Sequence, residues 1–110
     1  MRFDIRVAAG LPPAIVHLAQ ERLSAALTRF APRVRSLTVR LSDLNGPKGG
    51  VDKKCLVTIR LRAPRLTIVL EDTADDAAVA IARIADRASR TVARAVGSAT
   101  THWRGPQLAS

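Results

Sequence analysis

Four arginines near the end of the chain, Arg83, Arg87, Arg90 and Arg94, recur at spacings of four, three and four. On a helix that spacing gathers them within about 60° of arc, as one ridge of guanidinium groups. A guanidinium presents paired N–H donors in a planar fork and stays charged, so such a ridge suits phosphate oxygens. Ile81, Ile84, Ala88 and Val92 fall on roughly the opposite side, which gives the same helix an apolar stripe to bury. The plainer alternative is a solvated face, with Arg90 and Arg94 favoured near the negative end of a helix dipole. Asp86 is the one acid in the ridge's span, too little to neutralise it. Unpaired like charges cost stability, so the phosphate-binding reading is the stronger.

Further cations follow the same logic. Arg22 and Arg29, seven apart, line one flank of an earlier helix and extend the ridge if the two helices lie side by side. The segment Asn45–Lys53, NGPKGGVDK, reads as a loop that adds Lys48 and Lys53, with Lys54 next to it. Arg2, Arg6, Arg40, Lys54, Arg60, Arg62 and Arg65 fall on the polar face of strand-like segments and form a weaker candidate surface. In total 18 Lys+Arg face 9 Asp+Glu, a formal net charge of +9, with an isoelectric point near 11.6. A fold this basic attracts polyanions before any specific contact forms. Phe3 and Phe30 sit in core patterns and Trp103 lies in the tail, so few aromatics are left for stacking bases. That favours shape and backbone recognition of folded RNA over base-by-base readout.

Catalytic chemistry finds no support. The Asn-Gly-Pro-Lys-Gly-Gly run at 45–50 lacks the spacing of a nucleotide-binding phosphate loop and precedes a strand rather than a helix. One cysteine and two histidines do not make a zinc site of the usual kind. Cys55 alternates with Val57 and Ile59 on an apolar face, where a small buried thiol is expected. His17 falls on the polar side of a helix, His102 lies in the tail, and Asp75 and Asp76 suit a helix start. No enzyme, metal or cofactor is expected.

The elements that must position these cations are legible from periodicity. Phe3, Ile5 and Val7 alternate with Arg2, Asp4 and Arg6 as a half-buried strand. Pro12 and Pro13 open a helix on which Val16, Ala19, Leu23, Ala26, Leu27 and Phe30 share a face, and Pro32 stops it. Three strands follow, with Leu37, Val39 and Leu41, then Cys55, Val57, Ile59 and Leu61, then Leu66, Ile68 and Leu70 on their apolar faces. Ala63-Pro64 supplies the turn between the last two. Thr73 with Asp76 resembles a capping box, the last helix is expected from about Asp75 to Val96, and Gly97 is a plausible C-cap. The fold class is α+β: β-α-β-β-β-α, a four-stranded mixed sheet with two helices packed on one face. One domain over residues 1–97 and a flexible C-terminal tail over 98–110 are expected. The 110 residues are 47% hydrophobic, enough for one core. No apolar run long enough to cross a membrane and no signal peptide is seen, so a cytoplasmic protein without membrane partners is expected.

The order of elements at this length resembles the sigma-54 modulation and ribosome hibernation-promoting factor family, the ribosome-associated inhibitors. The local match lies in Asp76-Ala-Ala-Val-Ala-Ile81 followed by Asp86-Arg-Ala-Ser-Arg90, in Glu21-Arg22-Leu23, and in the segment from Arg40 to Cys55. The resemblance spans about Met1 to Val96. It implies a factor that binds 16S ribosomal RNA of the small subunit near the decoding channel and silences idle ribosomes. By matching position Arg22, Arg87, Arg90 and Arg94 inherit the RNA contacts, while Arg83 and Arg29 rest on the helical wheel alone. The sequence departs from the family at Ala95 and Val96, where a denser basic cluster is usual, and at Ala78, where an aromatic is usual. Long members carry a further dimerising domain; the chain ends too soon for one, so a monomer that does not pair ribosomes is expected. The alternatives are a module for another structured RNA and a regulatory protein-interaction domain.

Overall fold

The computed structural model describes residues 2–7, 11–43 and 53–104, with side chains described as far as residue 97. The period-two pattern at the start forms β1, Arg2–Val7, exposed and half-buried in strict alternation. Helix α1, Pro13–Leu27, begins with proline in its first turn, where the missing N–H costs no helical bond. It gives way to a 3-10 turn over Thr28–Arg33 that contains Pro32. Proline therefore lies inside the tightened last turns, and the α-helix proper ends five residues before it. Strands β2, Val34–Asp43, β3, Lys53–Arg62, and β4, Arg65–Ala74, follow, and α2, Ala77–Arg104, closes the order. The turn from β3 to β4 is Ala63-Pro64, with a cis peptide bond.

Among the described residues the strands form one sheet in the order β1-β2-β3-β4. β1 runs parallel to β2 through the α1 crossover, and the other neighbours are antiparallel. The fold class is the one the sequence patterns imply. Both helices pack side by side on one sheet face, α2 over β3 and β4. The core joins Leu23 and Leu27 of α1, Leu37 and Val39 of β2, Val57 and Ile59 of β3, and Ile81, Ile84, Ala88 and Val92 of α2, all fully buried. Each large side chain removed from water contributes about 1.5–3 kcal/mol. Ile15 and Leu18 pack against this core as well. Leu66 departs from its expected face-mates: at the hairpin end it is 45% exposed, whereas Ile68 and Leu70 are buried.

Two helix ends differ from the sequence expectation. Thr73 belongs to β4, and Asp76 caps α2 by accepting the Ala78 N–H at 2.9 Å. A short polar side chain directly before the first turn satisfies an N–H that has no helical partner. At the other end α2 runs through Gly97 to Arg104, so glycine is an interior residue there rather than a cap. No helix among the described residues is long and apolar enough to cross a membrane.

Candidate nucleic-acid interface

Helix α2 buries Ile81, Ile84, Ala88 and Val92 and turns its arginines outward, as the wheel requires. Arg83, Arg90 and Arg94 are exposed and Arg87 is half-buried. The ridge is less free than the sequence suggests, because β4 runs beside it and brings one carboxylate and one backbone carbonyl from far off in the chain. Arg83 Nη1 stands 3.6 Å from Asp72 Oδ1. Arg87 Nη1 donates to the Glu71 carbonyl oxygen at 3.1 Å. Arg90 Nη1 lies 3.0 Å from Asp86 Oδ2, one helical turn back. The exposed Arg90–Asp86 pair contributes about 0–1 kcal/mol, and each of the three contacts engages one Nη1 of its guanidinium. Among the described residues Arg94 has no ion-pair partner. The ridge is thus three tethered guanidinium groups and one free one.

On α1, which packs against α2, Arg22 and Arg29 are both exposed. The Arg29 guanidinium lies 4.7 Å from the centre of the Phe30 ring, a cation–π contact that orients it without cancelling its charge. The expected lysines do not stand together. Lys53 and Lys54 are consecutive residues of β3 and so point to opposite sides of the sheet. Lys53 Nζ lies 3.1 Å from Asp43 Oδ2 and Lys54 Nζ lies 2.8 Å from Glu71 Oε2. Lys48 lies outside the described residues. Cys55 is fully buried, and burial, with the nearby Asp72 carboxylate second, pushes its thiol up to about 12. A thiol so held stays protonated and is a poor nucleophile. Among the described residues no group of His, Cys, Asp and Glu could hold a metal ion.

Residues 9–98 match the model of the family described as sigma 54 modulation protein / S30EA ribosomal protein. The chain belongs to that family. Ribosome-associated modulation is therefore its functional class, and α2 as far as residue 98 falls within the matched region. Two solved structures share the fold. One, a ribosomal subunit interface protein from Coxiella burnetii, is 13% identical with a TM-score of 0.68, covering 86% of this chain and 96% of that one. The other, the N-terminal domain of Thermus thermophilus Protein Y, is 22% identical with a TM-score of 0.67, covering 86% and 98%. At these identities the likeness is one of fold. A comparison with curated proteins finds no match.

Sequence patterns missed the acids of β4. Asp72 lies on a strand, and only the packing of α2 beside β4 shows that its carboxylate faces Arg83 and that the neighbouring Glu71 backbone carbonyl accepts from Arg87.

Proposed function

We propose that the protein binds small-subunit ribosomal RNA near the decoding channel and holds idle ribosomes inactive, acting in the cytoplasm without catalysis. Family membership supplies the ribosomal partner, and the resemblance described above implies the small subunit, its 16S RNA and the silencing of idle ribosomes. The observation that carries the reading is the α2 ridge: Arg83, Arg87, Arg90 and Arg94 on the side opposite a fully buried apolar stripe. Arg22 and Arg29 of α1 add charge on the adjoining helix. Contacts of this type neutralise phosphates and release counterions, so affinity falls steeply with salt.

Co-sedimentation with purified small ribosomal subunits across a salt series tests this. Changing Arg87 and Arg90 together to Glu is expected to weaken binding at least tenfold and to flatten the log–log salt slope by roughly 1–2. The melting temperature should fall only modestly, since the losses are one hydrogen bond from the half-buried Arg87 and one exposed ion pair of Arg90. Undiminished binding by that double variant would reject the ridge as the RNA face. Loss of subunit binding in the wild type at low salt would reject the ribosomal assignment itself.

A further inference from the structure

We propose that the uncovered face of the sheet is a second phosphate-binding surface, so that one chain grips an RNA backbone on each of its two sides. The proposal deepens the RNA-binding reading and takes from it only the class of ligand. Strand register creates the surface. Arg6 of β1 stands directly opposite Arg40 of β2. Arg2 stands opposite Ser36, and Ser36 in turn opposite Arg60 of β3. Two rows of cations result, four residues apart along the strands, or about 13 Å. Ser36, Thr38 and the four arginines line a shallow concavity of about 410 Å³, together with one acid, Asp4.

Charge accounting favours an anionic occupant. Asp4 lies 3.5 Å from Arg6 and offsets that one guanidinium. Arg2, Arg40 and Arg60 are exposed and, among the described residues, have no ion-pair partner. On α2, by contrast, Arg83 and Arg90 each face a carboxylate, and Arg87 is held by a backbone carbonyl that leaves its charge in place. With Arg6 offset by Asp4, Arg40 beside it is the open cation of that row, and Arg2 and Arg60 are the open cations of the other. The Ser36 and Thr38 hydroxyls add neutral donors on the floor of the concavity. The aromatic of β1, Phe3, packs toward the core, so this face offers phosphate contacts rather than base stacking. Because the helices cover the other side of the sheet, this surface and the α2 ridge cannot serve one RNA strand at one point.

Titration of the full chain with a short RNA duplex, read by native mass spectrometry and by melting curves as a fold check, decides the matter. The wild type is expected to take two duplexes per chain at low salt. The pair Arg40→Ser and Arg60→Ser should take one, and the pair Arg87→Ser and Arg90→Ser should also take one. In each pair the remaining site should keep its wild-type affinity and salt dependence, whereas loss of general attraction alone, with two charges removed in either case, would weaken both duplexes together and empty neither site selectively. Their residual sites are separated by combining all four changes, which should abolish binding. A wild type that takes a single duplex, lost in the helix variant and untouched in the sheet variant, would overturn the proposal while leaving the ridge intact. Two duplexes bound by a chain that fails to sediment with small subunits would support the sheet surface and remove the ribosomal assignment alone.

Discussion

Arg83 opens the α2 ridge with its guanidinium 3.6 Å from the Asp72 carboxylate, and the same Asp72 Oδ1 accepts the Thr73 N–H at 2.8 Å. One acid thereby anchors a strand end and restrains the first cation of the ridge. Asp72→Asn keeps a carbonyl oxygen for the Thr73 N–H and removes the charge facing Arg83. We expect low-salt affinity for RNA to rise a few-fold, with stability changed by no more than about 1 kcal/mol. The gain should vanish near 1 M salt, where the Debye length is about 3 Å. An unchanged low-salt affinity would place Arg83 outside the interface.

Gly97 is exposed, and a methyl group built on it would meet no heavy atom within 4 Å. It sits inside α2, where glycine costs about 0.5–1 kcal/mol relative to alanine. Gly97→Ala should therefore stabilise the chain by about that amount, measured by denaturant unfolding. A glycine ending the helix in the left-handed conformation would give the opposite sign, so the experiment chooses between the two accounts of the helix end.

Cys55 links packing to pH. Its folded thiol, pushed up to about 12, keeps a proton that the unfolded thiol releases from about 9.0. Above that pH the unfolded state binds fewer protons, so stability falls as pH rises, by at most about 1.4 kcal/mol per unit. Below it the contribution of the neutral buried thiol is fully present. Cys55→Ala should cost on the order of 1 kcal/mol at pH 7 and leave RNA binding intact. That deficit should shrink or reverse by pH 10 in paired unfolding curves. Parallel pH dependence in the two proteins would mean that the thiol is not buried as described.

The two edges of the sheet differ from a sticky template. β1 carries Arg2 and Arg6 outward, and Arg65 opens β4. Charged edge residues oppose strand pairing between copies. We expect the 110-residue chain to sediment as a monomer in analytical ultracentrifugation and not to pair ribosomes when added to them. A concentration-dependent dimer would contradict this, and its loss on changing the exposed Val69 of β4 to Lys would identify the edge responsible.

Sequence periodicity alone determined the order of elements, the buried face of each strand and the outward arginines of α2. A period of two or of 3.6 fixes which side of an element is apolar, and apolar sides must meet. Ile81, Ile84, Ala88 and Val92 were legible in that way, and so were Cys55, Val57 and Ile59. Tertiary structure decided the rest. Whether Arg83 and Arg87 were free depended on β4 lying beside α2, which no local pattern encodes. Lys53 and Lys54 read as part of one basic loop, yet strand pleating sends them to opposite faces, each beside an acid. Gly97 looked like a stop, but glycine ends a helix only where the chain turns away, and here it continues to Arg104. The facing of Arg6 and Arg40 was beyond reach for the same reason: periodicity describes one element, whereas register is set between two, by the packing that joins them.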